Sequence, residues 1–340
     1  MRRVIVLGGS GQFGRTAIEQ LRSLGIRAST ASRRTNADLQ IDAEDANSIR
    51  LAVRAGDVVV DTAGPFHARS TALVEAAIHI GFDVVDINDD LQYALAVLAL
   101  APRIEIAGIR VLVSASTVSA VAAAVVRHSG SSSPTSVTAF LAPASRHTAH
   151  AGAALSLLRS VGRPVRVFRD GQQEQRPGWS EPRRFPMPPP IGPICGRLFE
   201  SADAIYLPRI WPTLRNVAMH VDTNTAGVNR LLRMAAHRPT LRRLLENQVR
   251  FAARFARFFG STAGGVGYEI EDDRGRVARY AMVAHKNSFV AAVAPAVLAA
   301  HALAEDRFAH RGLVLPDRHV EPAELFRFLQ SAGMALRRLG

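Results

Sequence analysis

Short strand-like segments recur through the first third of the chain and alternate with stretches whose apolar residues fall at helical spacing. Val4-Ile5-Val6-Leu7, Arg27 to Ala31, Leu39-Gln40-Ile41, Asp57 to Asp61, Asp83 to Ile87 and Arg110 to Ser114 read as six strands. Helices are predicted from Gln12 to Leu24, after Asp42 within a capping-like Asp42-Ala43-Glu44-Asp45, from Ser70 to Ile80 and from Leu91 to Ala101. Strands that take turns with helices pair in parallel, so the pattern predicts an α/β fold around a parallel sheet.

The alternation fades after the connector Ser129-Gly130-Ser131-Ser132-Ser133-Pro134. Ser136 to Leu141 and Pro164 to Arg169 read as strands, and Gly152 to Val161 as a helix. Pro182 to Pro193 holds too many prolines for a helix or a central strand and is expected to be an extended loop able to cover a cleft. From Leu241 to Phe259 the residues Leu241, Leu244, Leu245, Val249, Ala252, Phe255 and Phe259 share one helical face, with Arg242, Arg243, Arg250, Arg254 and Arg257 largely elsewhere. That pattern fits a core-packing helix with a solvated arginine face; the other reading is a basic helix near Arg250 lying on a membrane surface. Val266 to Ile270 and Arg279 to Ala284 form a hairpin around Asp272-Asp273-Arg274-Gly275, and helices at Phe289 to Ala304 and Ala323 to Gly333 close the chain. Three segments result: 1–130, a mixed α/β domain over 131–286, and a helical segment over 287–340.

Composition narrows the choice. The chain has 340 residues, 48% hydrophobic and 21% charged, which is too long for one ordinary domain and too apolar for disorder. Its net charge of +13 arises from 42 basic and 29 acidic residues, and Lys286 is the one lysine. So uniform an arginine preference points to codon bias, and without a clustered basic element in a recognisable motif it does not indicate a nucleic-acid partner. Cys195 is the sole cysteine, which excludes an intrachain disulfide and a thiolate zinc cluster and suits a reducing cytoplasm. Met1-Arg2-Arg3 leads straight into a strand, so no export signal is expected. The apolar run Phe289 to Ala300 is interrupted by Pro295 and is shorter than the roughly 18–20 residues of a membrane span, so it is expected to be a buried helix. No metal site is expected.

Gly8-Gly9-Ser10-Gly11-Gln12-Phe13-Gly14 contains G-x-G-x-x-G between a strand and a helix, the context that makes it a dinucleotide-binding signature. Gly9 would permit the tight turn, Gly11 a close approach of backbone to pyrophosphate, and Gly14 close packing of helix on strand. Phosphates would meet the N–H groups at the helix start, around Ser10, Gln12 and Phe13. An acid about 20 residues past the loop would bind a ribose 2′-hydroxyl. Here Ser32-Arg33-Arg34 follows the second strand instead, two guanidinium groups and a hydroxyl suited to a 2′-phosphate, and the cofactor is read as NADP. Asp42 could accept from the adenine amino group or could cap a helix.

The glycine loop, the segment Asp61-Thr62-Ala63-Gly64-Pro65-Phe66, and Val85-Asp86-Ile87 followed by Asp89-Asp90 together resemble the saccharopine dehydrogenase-like family, in its saccharopine reductase type. The tail, Arg311-Gly312-Leu313-Val314-Leu315-Pro316 and then Phe328-Leu329-Gln330-Ser331-Ala332-Gly333, is similar to that family's closing segment. The resemblance implies an N-terminal Rossmann domain with a doubly wound parallel sheet, an inserted mixed α/β second domain, and a C-terminal helical segment returning to the first. It also implies a nicotinamide-dependent oxidoreductase acting on C–N bonds or, in some relatives, on C=C bonds of lipid precursors, with Ala63, Gly64, Pro65 and Phe66 beside the nicotinamide. No substrate-binding residues of the family can be matched in the middle region.

Hydride transfer needs a proton donor or acceptor beside the cofactor. The carboxyl ends of the strands nominate His67, Asp86, Asn88, Asp89, Ser116 and Thr117. His67 has a suitable intrinsic pKa or is simply an exposed residue at a helix start. Asp86, in an apolar strand, is either catalytic or an anchor for its loop. Lys286 can lose a proton where arginine cannot, which makes it a further candidate for proton donation or for holding an anionic group. Arg146, His147 and His150 form a possible anion-binding cluster. The expected partner is a small substrate, with a homodimer allowed; a non-catalytic NADP(H)-binding scaffold and a reductase of a lipid-linked substrate at a membrane are the alternatives.

Overall fold

A computed structural model describes residues 1–148, 151–248, 258, 260–286 and 288–340. They form two compact units, one of residues 1–124 with 289–328 and the other of residues 125–288 with 329–340.

The first unit is built on a seven-stranded sheet. Strands β1 (Val4–Leu7), β2 (Ala28–Ser32), β3 (Leu39–Gln40), β4 (Val58–Asp61), β5 (Asp83–Asp86) and β6 (Arg110–Leu112) are joined by a seventh, Gly312–Val314, supplied by the end of the chain. The order is Gly312–Val314, β6, β5, β4, β1, β2, β3, and every pairing is parallel. The order reverses beside β1, which opens a crevice at the carboxyl ends of β1 and β4, where ligands of such sheets lie. β1, β4 and β5 are buried at every position, including Asp61, Asp83 and Asp86, as expected for strands covered on both faces. The apolar helix Ser288–Ala304 packs Val293, Ala296, Val297 and Ala300 into the same core as Val4, Val6, Val58 and Val60. Its small alanines let it lie close to the sheet despite Pro295. Among the described residues no helix is long and apolar enough to cross a membrane.

Several boundaries depart from the sequence expectation. The helix after Asp42 begins at Ala46 and is capped by Asp45, whose carboxylate accepts the Asn47 N–H at 2.9 Å, so Asp42 is not its cap. The helix expected from Leu91 to Ala101 is two, Leu91–Ala99 and Ala101–Ala107, because Pro102 lacks the N–H that would continue the first.

The second unit is a mixed sheet of nine strands. β7 (Pro134–Ala142), β8 (Pro164–Arg169), β9 (Gln172–Pro177), β10 (Arg183–Phe185), β11 (Ile194–Phe199), β12 (Asn216–Val221), β13 (Gly264–Asp272) and β14 (Val277–Ala284) are completed by Arg337–Leu339. The main path runs β10-β11-β12-β7-β13-β14 and then Arg337–Leu339, with β8 pairing to β12 and β9; β7 and β12 are parallel and the other pairs antiparallel. The proline-rich segment is not wholly loop: Arg183–Phe185 is a strand, and Phe185 and Met187 are buried against Phe140, Ala142, Ile194 and Ala281. The expected helix from Leu241 to Phe259 is described only as Pro239–Asn247; its continuation through Arg250, and His150 of the anion cluster, lie outside the described residues.

Gly267 faces this cluster from β13, opposite Phe140 on β7 and Ala281 on β14. Phe185 stacks on Phe140 with ring centroids 4.6 Å apart and occupies the space a Cβ on Gly267 would need. Gly267→Ala should therefore destabilise the protein by about 1–3 kcal/mol through overpacking, read as a lower urea midpoint with an unchanged m-value; an unchanged midpoint would mean that Phe185 is free to move aside.

Candidate functional site

The glycine turn sits at the carboxyl end of β1, the centre of the sheet. Gly8 takes a left-handed φ of 75°, which a residue with a side chain rarely adopts, and a Cβ there would lie 2.9 Å from the Ala63 backbone. The Gly8 and Gly9 N–H groups donate to the Ala31 carbonyl at 2.9 and 3.2 Å, which ties the turn to β2. Gly9 packs on Thr30, and a Cβ on Gly14 would collide with the Gly8 carbonyl. The tight turn thus belongs to Gly8 rather than Gly9, while Gly14 has the close-packing role expected of it. Gly11 differs from both. Apart from the Gly8 carbonyl oxygen at 3.0 Å, nothing beyond its chain neighbours lies within 4 Å of a Cβ built on it.

Gly11 is also the N-cap of helix α1 (Gln12–Ser23), which has no side-chain cap and no acid in its first turn. Its leading N–H groups are therefore satisfied by no side chain, with the positive end of the helix dipole behind them. Arg15, which sequence reasoning passed over, adds charge: its guanidinium donates to the Ser10 carbonyl at 2.7 Å and to Gln12 Oε1 at 3.0 Å. The i, i+3 and i, i+5 spacing from the turn was its signal, lost in an arginine-rich sequence.

At the end of β2 the Ser32 hydroxyl accepts the Arg34 N–H at 3.1 Å and shapes the turn. Arg33 and Arg34 are exposed, and their guanidinium groups have no partner among the described residues. Asp38, the first acid after β2, is committed elsewhere. Its carboxylate accepts the Thr30 N–H at 2.8 Å and the Thr30 hydroxyl at 2.9 Å, bonds that hold its pKa below the usual carboxylate value. Asp42 is half-buried, and its carboxylate accepts the Glu44 N–H at 3.1 Å.

The loop after β4 is fixed by two buried carboxylates. Asp61 closes both of its ends, accepting the Ala63 N–H at 2.9 Å through Oδ1 and the Arg69 guanidinium at 2.5 Å through Oδ2. Arg69 also pairs with Glu44, which in turn accepts from Ser70. Thr62 donates to the Leu7 carbonyl from its N–H at 3.0 Å and its hydroxyl at 2.6 Å, so the loop is laced to β1 as well. Between these ties run Ala63, Gly64, Pro65 and Phe66, with a cis Gly64–Pro65 bond, followed by the single turn Phe66–Ala68 that carries half-buried His67. Phe66 stacks on Phe13 of α1 at 6.2 Å, and Phe13 meets Phe289 edge-on at 5.4 Å, so apolar rings join the glycine turn to this loop.

Asp86 stands beside Asp61 in the β4–β5 register. Its Oδ1 accepts the Asn88 N–H at 2.7 Å, and Asn88 Nδ2 donates to the Phe66 carbonyl at 3.1 Å. Asp86 therefore positions the loop through Asn88. Burial pushes its carboxyl up to about 6, partly opposed by the Tyr93 hydroxyl, the Asn88 N–H and Arg69, and burial with the charge of Asp86 raises Asp61 well above the ordinary range. Tyr93 is raised too, by burial and then by Asp86 and Asp61. Burial of two adjacent carboxylates therefore favours keeping a proton on the pair at mildly acidic pH.

The remaining candidates are dispersed. Ser116 donates to Asp89 at 2.6 Å and Ser114 to the Asn88 carbonyl at 2.7 Å, which assigns both to the structure of the loops after β5 and β6. Lys286 is exposed in the bend after β14, in the second unit. Arg146 donates to the Phe258 carbonyl at 3.1 Å.

Comparison with known proteins matches residues 4–165 to a family model described as the NAD dependent epimerase/dehydratase family. No curated protein sequence matches the chain. Among solved structures it is similar to saccharopine dehydrogenase (L-Glu forming) of Saccharomyces cerevisiae, at 14% identity over 100% of both chains with a TM-score of 0.61. It is also similar to a meso-dapdh mutant with DAP of Clostridium tetani (13% identity, 97% of this chain and 99% of that one, TM-score 0.45) and to the WlbA dehydrogenase of Thermus thermophilus in complex with NAD (10%, 95% and 92%, 0.41). The chain has the fold of saccharopine dehydrogenase: a Rossmann-like parallel sheet and a second, mixed sheet.

The carboxylate pair sets a pH dependence. Asp86 carries a folded pKa of about 6 against an ordinary 3.8, so the native state binds more protons than the unfolded chain between those values. Stability is lost as pH rises through about 6. Asp86→Asn keeps an acceptor for Asn88 and removes the buried charge, so it should melt higher than wild type above pH 6, with the advantage vanishing near pH 4. Thermal melts from pH 4 to 8 test this, and a variant that melts lower at every pH would refute it. Arg69→Met, which leaves Asp61 buried and unpaired, should cost about 3–5 kcal/mol at neutral pH.

Proposed function

We propose that the protein is an NADP(H)-dependent oxidoreductase transferring a hydride to or from a C=N, C=O or C=C bond of a small substrate. The observation that carries this reading is the helix start at Gly11: exposed, with no side-chain cap and no acid in its first turn, at the switch point of a parallel sheet. A pyrophosphate fits such a place by charge and by hydrogen bonding. The fold shared with saccharopine dehydrogenase and the similarity to the NAD dependent epimerase/dehydratase model support it.

On this reading Gly9, Ser10, Gly11, Gln12, Phe13 and Gly14 hold the pyrophosphate through backbone N–H groups. Ser32, Arg33 and Arg34 meet the 2′-phosphate, Asp42 lies toward the adenine, and Ala63, Gly64, Pro65 and Phe66 flank the nicotinamide. The preference for NADP over NAD rests on the unpaired Arg33 and Arg34 and on the engagement of Asp38 by Thr30. The bound cofactor supplies a hydride donor or acceptor. The chain must bind and orient the substrate and handle one proton. His67 is the best-placed residue for the proton, since it follows Phe66, whose carbonyl Asn88 pins. Asp86 acts through Asn88, without touching the reacting atoms, and Lys286 is retained as a group for an anionic part of the substrate. The lone cysteine suits a cytoplasmic enzyme.

Isothermal titration should show NADPH binding at least roughly tenfold more tightly than NADH, the yield of about 1.4 kcal/mol from charge-assisted contacts. Arg33→Ala combined with Arg34→Ala should erase that preference and leave NADH affinity unchanged. Gly11→Val should abolish binding of both nucleotides with an unaltered circular dichroism spectrum. Equal affinities in the wild-type protein would reverse the NADP assignment, and nucleotide binding by Gly11→Val would remove the glycine turn from the site.

A further inference from the structure

We propose that the paired helices Val228–His237 and Pro239–Asn247 dock the protein on an anionic phospholipid surface. The two are separated by Arg238 alone and pack against each other, and the second also packs on helix Ala151–Ser160. Leu232 and Ala235 point inward and are buried. Three exposed aliphatic side chains gather on the outward side: Leu231, Met234 and Leu244 are 37%, 42% and 57% exposed, beside exposed Arg230, Arg233, Arg238 and Arg243.

Charge decides what covers this face. Residues 226–248 hold five arginines and one acid, Glu246, which is occupied by Arg163 at 2.6 Å. Arg242 is spent on the Val161 and Gly162 carbonyls at 3.3 and 3.1 Å. The guanidinium groups of the other four have no hydrogen-bond or ion-pair partner among the described residues. Unpaired arginines occur elsewhere too, but here four fall within the fourteen residues Arg230 to Arg243, beside the exposed Leu231, Met234 and Leu244. Unpaired cations call for an anionic partner. A nucleic acid would satisfy the charges but give Leu231, Met234 and Leu244 nothing to enter. A bilayer interface satisfies both: aliphatic side chains sink into the headgroup boundary, and arginine stems follow them with the guanidinium groups at the phosphates. The face is short and carries few apolar residues, so the attachment is reversible and depends on lipid charge. It is independent of the cofactor reading, since none of these residues belongs to the glycine turn or the loop after β4.

The test is co-sedimentation of the full chain with vesicles of phosphatidylcholine alone and with about 30% phosphatidylglycerol. Binding should appear on the anionic vesicles, weaken with added salt, and fall at least roughly tenfold in a variant with Arg230, Arg233, Arg238 and Arg243 changed to Glu, since each basic residue near such a surface contributes appreciably. Leu231→Ser with Met234→Ser should weaken it severalfold at constant charge. Leu51→Ser, at an exposed apolar residue of the first unit, should leave it unchanged. NADPH affinity and melting temperature, measured on every variant, separate a docking defect from a folding defect. Absence of binding to anionic vesicles, equal binding to neutral ones, indifference to the charge reversal, or a preference for duplex DNA that ignores the apolar substitutions would each overturn the proposal.

Discussion

The most consequential constraint in the first unit is the pair of buried carboxylates at the carboxyl ends of β4 and β5. Asp61 and Asp86 are neighbours in register, 3% and 2% exposed, and Arg69 is bonded to Asp61 while acting on Asp86 only through its charge. Ionising both in that environment is unfavourable, since each loses its hydration and repels the other. The arrangement persists because every carboxylate oxygen that is satisfied holds a piece of backbone or Arg69. Asp61 fastens the start and finish of the loop from Ala63 to Arg69, and Asp86 fastens its middle by way of Asn88. A loop lying across the sheet's open edge would otherwise be the mobile part of the unit. Here its shape is imposed from beneath, and that shape fixes where Pro65, Phe66 and His67 stand.

The other side of the crevice is governed by a different economy of charge. The turn at Gly8–Gly14 has no acid in the first turn of its helix and keeps Arg15 folded over the Ser10 carbonyl. At β2, Asp38 substitutes for a ladder partner of Thr30, before β3 begins at Leu39. That use removes the nearest carboxylate from the edge of the sheet and leaves Arg33 and Arg34 as its ionic feature. One hydrogen-bonding choice by Thr30 thus sets the charge at this edge although Thr30 itself faces Gly9.

How much of this the sequence discloses depends on whether a feature is local. β1, β4 and β5 are legible because burial on both faces demands consecutive apolar residues, and the glycine turn because its spacing is set by backbone geometry over seven residues. The second unit is harder to read. Gln172–Pro177 is a strand made almost entirely of polar residues, half exposed and paired with β8 alone, so it lacks any apolar alternation. Arg183–Phe185 hides among prolines, and its strand character comes from pairing with Ile194–Gly196 and from the stacking of Phe185 on Phe140, some forty residues away. Asp86 is conspicuous in an apolar strand, but its partnership with Asp61 and Arg69 is created by sheet register. No spacing rule exposes it. Asp42 shows the reverse error: a capping pattern reads well there, yet the backbone turns three residues later and Asp45 takes the cap.

Arginine content carries the same lesson about context. With one lysine among 42 basic residues, the presence of an arginine says little about its role. What distinguishes arginines in this molecule is whether a carboxylate has been provided for them. Arg3 has Asp57, Arg110 has Asp83, Arg169 has Glu181, and each pair closes a local contact. Exposed pairs, such as Arg307 with Glu305, contribute little to stability, about 0–1 kcal/mol, so the lack of a partner for an exposed arginine does not cost the fold much. Arg33 and Arg34 at the edge of β2, and Arg230, Arg233, Arg238 and Arg243 on the paired helices, are such omissions. The two groups differ in surroundings. Arg33 and Arg34 stand at the turn after β2, the strand to which the Ala31 carbonyl ties the glycine turn, whereas the helical group is accompanied by the exposed aliphatic side chains Leu231, Met234 and Leu244.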